Sequence, residues 1–436
     1  MSCSVAKQTV CLITTFTMKR IILITIFFLF NTVLLLAQLT LEECYEKARK
    51  NYPLIKQYEL IDKSKNYDIS NIRKGYLPQF SLSAKASYQS DVTKIPIIIP
   101  NMNIEGISKD KYQAVLEMNQ TIWDGGNIKA QKNSSKFASE LEKQQTETEL
   151  FVLRERINQL FFSILLINEQ LKQTEILSNE FQNNFERIKA LKDNGMASQA
   201  DLDAIRVEQL KTAQQKTELE GTLKAFGGMI SIFIGESVSE STIFIKPEIH
   251  LPETDLSNKR PELSLFEAQK NLFENNKKIV NTALMPRIGL FAQAGYGKPG
   301  LNMLKNEFSP FFIGGVRFNW NFGVFYTKEN AIKKIDLDID KTQIKKDVFL
   351  FNTDVKVSQQ MNEIKKMKKI LLSDDEIIEL RRNIKKSAQI RVENGTLSVS
   401  DLVREINAEH LAIQEKFLHE IQLLMCIENL KNILNY

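Results

Sequence analysis

Cysteine, histidine, glycine and proline are all scarce in this 436-residue chain, and each scarcity closes off a class of function. Of the four cysteines, Cys3 and Cys11 fall in a leading segment read below as removed, so Cys44 and Cys426 remain, too few for a disulfide framework. The three histidines, His250, His410 and His419, have no metal-ligand spacing to one another or to a cysteine, so neither a metal nor a cofactor is expected. The 17 glycines and 10 prolines amount to roughly half the usual share, so turns should be few. No phosphate-binding loop, dinucleotide glycine pattern or nucleophile elbow is present, and the chain is not expected to be an enzyme. Its 58 basic residues nearly balance its 53 acids, which leaves no basic surplus for nucleic acid. Charged residues at 25 % and hydrophobic ones at 43 % argue against wholesale disorder.

Long uncharged runs are also missing, with one exception, which argues against a polytopic helical membrane protein. Residues 21–37 are apolar, follow Lys19 and Arg20, and end on a small residue, Ala37. That order reads as a secretory signal peptide over residues 1–37; a single membrane anchor is the alternative. Met18 is a natural start, which would place residues 1–17 upstream of the translated protein. Removal of the segment takes Lys7, Lys19 and Arg20 with it and lowers the formal charge from +5 to +2.

What the chain does have is an internal repeat. Residues 51–88 recur in pattern at 259–296: Pro53 and Pro261, Pro78 and Pro286, Tyr88 and Tyr296 are each 208 apart. Farther on, KDNGMASQADL returns as VENGTLSVSDL, and Gly195 and Gly395, Ser198 and Ser398, Asp201 and Asp401 are each 200 apart. The second copy has therefore lost eight residues, placed between Tyr296 and the helix that follows. The boundaries expected are a first repeat over 38–235, a linker over 236–257 and a second repeat over 258–436.

Within each repeat the hydrophobic period changes from helix to strand and back. Phe80, Leu82, Ala84, Ala86 and Tyr88 alternate with Ser81, Ser83, Lys85, Ser87 and Gln89, and Tyr112, Ala114, Leu116 and Met118 form a second apolar series. The copy supplies Ile288, Leu290, Ala292, Ala294 and Tyr296, then Phe312, Gly314, Val316, Phe318 and Trp320, so each repeat holds one hairpin. A helix nearly free of glycine and proline follows, over about 127–193 and again 326–393, some 67 residues that reach roughly 100 Å. Ile157, Leu160, Ile164, Ile167 and Leu171 step by three and four as in a coiled coil, and the copy keeps Val357, Ile364, Met367 and Leu371. Gly195 and Gly395 suit left-handed caps, after which shorter helices over about 198–234 and 398–434 return. With the roughly 23-residue helix before each hairpin, two short helices match one long helix end to end.

Four amphipathic strands cannot close a membrane barrel, for which about eight are the minimum, whereas three chains would supply about 12. The alternative is that the hairpins lie on a soluble core. Residues 151–167 are apolar nearly all round and, with 349–357, should be buried on several sides with the linker outside. The segment 91–110, with its IPIIIP stretch, is too apolar for an exposed loop and should fold inward or pack on lipid.

These residues resemble the outer-membrane efflux proteins typified by TolC. The likeness is carried by LTLEECYEKARKNYP (39–53), the junction GYLPQ (75–79), the IWDGGN entry to the long helix (122–127) and the turns NGMASQADL and NGTLSVSDL. It implies a mainly α chain with a small β part: long coiled-coil helices forming a periplasmic tunnel, plus strands for a shared trimeric transmembrane β-barrel in the outer membrane. It implies a passive exit duct of a tripartite efflux or type I secretion system, with a periplasmic adaptor and an inner-membrane transporter as partners. A soluble periplasmic coiled-coil scaffold is the alternative. The resemblance also places Asp401, with Asp201 in the first copy, at a periplasmic gate. A second acid that the family often carries one turn later is Arg404 here and Ala204 in the first copy, so Arg404 could pair with a neighbouring Asp401. The plainer alternative is that both acids complement their helix N-termini. Gly195, Ser198, Gly395 and Ser398 would form adaptor-docking tips, and Pro78 and Pro286 the helix-to-strand junctions.

Overall fold

The structure is a computed structural model and describes residues 38–92, 108–239, 242–249, 257–303 and 305–435. The expected signal peptide, the IPIIIP stretch and His250 lie outside the described residues. Two compact units are present, one built from the described residues up to Tyr52 with 152–258 and 355–436, the other from 53–151 and 259–354. Each repeat contributes to both.

The second unit carries the sheet. Helix α2 (Gln57–Arg73) leads through a 3-10 turn to β2 (Gln79–Tyr88), which pairs with β3 (Asp110–Trp123). In the second repeat α6 (Pro261–Thr282) leads to β5 (Arg287–Lys298) and β6 (Ser309–Asn319). The strands form one antiparallel sheet in the order β2-β3-β5-β6, so the seam between repeats is the β3–β5 pair. Pro78 and Pro286 each stand one residue before a strand, where a missing N–H leaves no ladder bond unmade.

The first unit is helical. Helix α1 (Leu41–Asn51) starts at a Thr40–Glu43 capping box, which accounts for the TLEE of its opening motif. The first long helix consists of α3 (Asn127–Phe151), which belongs to the sheet-bearing unit, and α4 (Leu153–Asp193), which belongs to this one, interrupted at Val152, whose dihedrals stay helical (φ −61°, ψ −23°). In the copy α7 (Val324–Glu393) is a single helix of 70 residues. The returning helices are α5 (Gln199–Ile234) and α8 (Val399–Leu434). The net loss of eight residues is spread over several elements: β5 runs two residues past Tyr296, whereas β2 ends at Tyr88, and β6 has 11 residues against 14 in β3. The inter-strand loop shrinks from 21 residues (89–109) to 10 (299–308), while the long helix grows from 67 positions (127–193) to 70.

One core of the helical unit joins Ile157, Phe161, Phe162 and Ile164 of α4 to Leu41 and Cys44 of α1, Ile230 of α5 and Leu424 of α8. Linker residues pair with the first described residues as a short parallel ladder, Gln38 with Ile243 of β4 (Ile243–Phe244) and Leu39 with Phe244, where β1 is Gln38–Leu39. Phe244 then packs edge-on against Phe161, with ring centres 5.4 Å apart. An all-round apolar helix needs such a cover, because one neighbouring helix shields only one stripe. The matching segment of the copy differs: Phe351 is 68 % and Val355 53 % exposed, and among the described residues no linker strand covers them. Of the coiled-coil series, Ile157, Ile164, Ile167, Ile364 and Met367 are buried.

Candidate functional site

The sheet presents one apolar and one polar face, and the register aligns each across all four strands. Leu82 lies opposite Leu116, which lies opposite Ala294, which lies opposite Phe312. Neighbouring rows add Phe80, Met118, Ala292, Tyr112, Tyr296 and Val316 to the same face. Its large side chains are exposed, Leu82 at 78 % and Phe312 at 68 %. Exposure of so large a continuous apolar band to water would be unfavourable, whereas lipid contact favours it. Aromatic clusters flank the band. At the helix end Phe318, Trp320 and Phe322 adjoin one another, and Trp320 Nε1 donates to the Leu284 carbonyl at 2.9 Å. At the loop end Phe308 packs on Tyr112 and Tyr296. From Ile288 to Tyr296, β5 rises about 26 Å, or about 20 Å along a membrane normal at a tilt of some 40°.

The opposite face is polar and carries its own network. Arg317 donates to Asn119 Oδ1 at 3.1 Å, lies 3.4 Å from Glu117 and covers the Phe291 ring at 4.9 Å. Two phenylalanines on this face stand opposite glycines, Phe291 opposite Gly315 and Phe311 opposite Gly295. A Cβ at Gly295 would lie 2.1 Å from the Phe311 ring, and one at Gly315 3.1 Å from the Phe291 ring. The rings therefore lie flat against the wall, which glycine alone permits.

The junction motifs meet at the foot of the sheet. Asp124 of IWDGGN is buried and accepts from the backbone of Gly126 at 3.0 Å and Ile128 at 2.5 Å, capping α3. The Tyr76 hydroxyl of GYLPQ donates to the same carboxylate at 3.2 Å. Gly125 has φ +69°, and a Cβ there would stand 2.4 Å from Met285 Cβ. These residues thus hold the strand and helix ends together; sequence spacing signals them only as a motif.

The turns lie in the helical unit. Gly195 N–H bonds Lys192 O at 2.8 Å and Met196 N–H bonds Leu191 O at 2.8 Å; Gly395 and Thr396 repeat the pair on Val392 and Arg391. This is the Schellman arrangement, with φ +75° at Gly195 and +66° at Gly395. Ser198 and Ser398 are the N-caps of α5 and α8, and Asp201 and Asp401 stand at the third helical position, where their carboxylates accept hydrogen bonds from those serine hydroxyls. Arg404 pairs with Asp401 of its own chain at 2.9 Å. Ser398, with help from Arg404, holds the Asp401 carboxyl below its ordinary range. The two hairpins pack through Phe181, Ile188, Leu202 and Ile205 against Val392, Leu402 and Ile406. Tertiary structure adds a charge node invisible in the sequence: Lys385 of α7 lies 2.7 Å from Glu180 of α4 and also pairs with buried Glu409 of α8.

Burial pushes the Cys44 thiol up to about 12 and raises that of Cys426, and no cluster of three or more histidine, cysteine or carboxylate side chains placed to hold a metal ion occurs among the described residues. His410 is half-buried beside Gln414, and His419 lies 2.8 Å from Asp374.

The family model described as outer membrane efflux protein matches residues 44–225. No curated protein matches the chain. Among solved structures, the outer-membrane channel OprN is 15 % identical with a TM-score of 0.67, covering 90 % of this chain and 89 % of that one. VceC of Vibrio cholerae, an outer membrane protein, is 10 % identical with a TM-score of 0.65, covering 90 % and 95 %. The CmeC outer membrane channel of Campylobacter jejuni is 14 % identical with a TM-score of 0.63, covering 90 % and 85 %. At these identities the likeness is one of fold.

Proposed function

We propose that this chain, whose residues 44–225 belong to the outer membrane efflux protein family, is a passive outer-membrane exit channel built from three copies. The observation that carries the reading is the sheet. It has an exposed apolar face bounded by aromatic rows, a polar opposite face, and two unpaired edges, β2 and β6. A soluble scaffold would leave Phe80, Leu82, Phe312 and Phe318 in water. Open edges are not tolerated in lipid, so the sheet must be completed by other chains. With an even number of alternating strands, β6 of one copy meets β2 of the next antiparallel, which closes a ring head to tail. Two copies would give 8 strands filled by side chains, and three give 12 around an open lumen. Native mass measurement in detergent should show three chains, and single-channel steps should appear in planar bilayers. A stable inserted monomer would overturn the reading, as would extraction from cells without detergent.

The finer assignment is a tripartite efflux or type I secretion system. The paired turns at Gly195, Ser198, Gly395 and Ser398 dock a periplasmic adaptor, which in turn engages an inner-membrane transporter. No Cβ built at Gly195 or Gly395 meets another atom within 4 Å, which supports a surface kept clear for a partner. Asp401 and Asp201 line the periplasmic gate, and the same-chain Arg404 pair moderates its charge. In bilayers Asp401→Asn should weaken block by divalent cations, and Arg404→Ala should raise resting leak; parental behaviour in both variants would leave Asp401 as a helix-end charge only.

A further inference from the structure

The charged residues of the sheet are sorted by face. On the apolar face charge occurs only at strand ends, as Asp110 and Lys298. On the polar face the register places Lys85 of β2, Lys111 of β3, Arg287 of β5 and Arg317 of β6, with Glu117 as the one acid of the four strands there. Glu117 already neutralises Arg317, and Asn119 and the Phe291 ring hold that guanidinium in place. Lys85, Lys111 and Arg287 make no ion pair among the described residues. Lys85 and Lys111 lie toward the loop end, while Arg287 lies at the helix end, lining a cleft of about 540 Å³ with Arg317, Asn119, Asn319 and one acid, the buried Asp124, whose carboxylate is engaged by Tyr76 and the Gly126 and Ile128 amides.

We propose that the barrel lumen selects for anions, and that the molecules this chain passes carry net negative charge as carboxylate, phosphate or sulfate groups. The inference rests on reading the chain as a channel and names the substrate class of that channel. Three uncompensated cations per chain become nine in a barrel of three. A 12-stranded barrel has a backbone radius of about 12 Å from strand spacing and tilt. Lysine and arginine side chains reach inward by about half that, so their charges stand within about one Debye length, roughly 8 Å, of the axis. Screening at physiological salt therefore leaves their field in the conducting path. Rings of lysine and arginine are the arrangement that favours anions in pores. The glycine–phenylalanine pairs reinforce this, because rings laid flat on the wall do not shield the cations from the lumen.

The test uses the full-length channel in planar bilayers under a potassium chloride gradient. The parent should show a reversal potential on the chloride side. Lys85→Gln, Lys111→Gln and Arg287→Gln together should shift the chloride-to-potassium permeability ratio toward cations by at least about threefold. Arg287→Lys, which keeps the charge, should leave the ratio at the parent value. Inositol hexakisphosphate added on the loop side should block the parent and lose that block in the triple variant, a readout of the barrel independent of the acids at the turns. If the parent conducts but prefers potassium, or if the triple variant assembles and conducts with an unchanged ratio and unchanged block, the inference fails while the channel stands. If the assembled parent passes no current, the channel reading fails and takes this one with it.

Discussion

Asp401 has two duties at once: it closes the helix cap with Ser398 and accepts Arg404 at 2.9 Å. Its lowered pKa gives the acid dependence a sign. A carboxyl depressed by folding contributes stability above its ordinary value of 3.8, and loses it as pH falls through the lowered folded value. Acidification below about pH 4 should therefore raise hydrogen exchange at the 394–402 amides before it affects the rest of α8. Faster exchange across the whole helix at once would contradict a local cap. Gly395 separates backbone need from surface need. With φ +66° and open space around its would-be Cβ, Gly395→Asn should keep the turn, since asparagine tolerates the left-handed region. Gly395→Val should cost about 1–2 kcal/mol in thermal stability. If adaptor docking requires a clear surface, both variants should lose efflux while the trimer persists. Normal drug resistance in the valine variant would count against docking at this turn.

At the scale of elements, the helical unit depends on how α4 is enclosed. Phe161 is fully buried and in edge contact with Phe162 and with Phe244 of the linker. Phe161→Ala should cost about 3–5 kcal/mol, read as a lowered unfolding midpoint. Phe244→Ala should cost less, because its site lies at the edge of the core; equal losses would mean that the linker carries as much of the core as α4 does. The charge node behaves differently. Burial lowers the Lys385 pKa, but the hydrogen bonds its ammonium donates to Glu180 and Glu409 outweigh it and raise the value overall. Such a group stabilises fully below its ordinary pKa, and the contribution is lost as pH rises through the folded value. Lys385→Met leaves buried Glu409 with Arg382 alone, at 3.4 Å, and should destabilise by less than the penalty of about 3–5 kcal/mol that a fully orphaned buried charge carries. The double change Lys385→Met with Glu409→Leu should recover much of that loss, and a double variant no better than the single would show that the helices pack through the charges themselves.

The whole molecule is an assembly question, since among the described residues β2 and β6 are each paired on one side only. β2 and β6 offer ladders of 10 and 11 residues, nearly equal lengths that suit mutual pairing. Proline at two adjacent outward-bonding positions of β6 should therefore prevent trimer formation on native gels while the helical unit keeps its far-ultraviolet circular dichroism. Trimers of parental stability would mean that the helices alone hold the copies together.

Much of this architecture was legible in the sequence because period and spacing are local properties. Alternation at Phe80 to Tyr88 specifies a two-faced strand, and a run nearly free of glycine and proline specifies a long helix. The Gly195 and Gly395 turns follow from the conformational freedom of one residue type. The repeat offset even located the shortened region, although only the structure showed that the stretch between strands, the strands themselves and the long helix all change length. What the sequence could not determine depends on pairing between distant residues. That the β3–β5 seam aligns the apolar faces of both repeats, that Phe244 of the linker covers Phe161, and that Lys385 meets Glu180 and Glu409 are matters of register and packing across up to some 200 residues of chain. Side-chain type restricts such partners without choosing among them; the choice is made by simultaneous burial of every apolar face, which is a property of the folded whole.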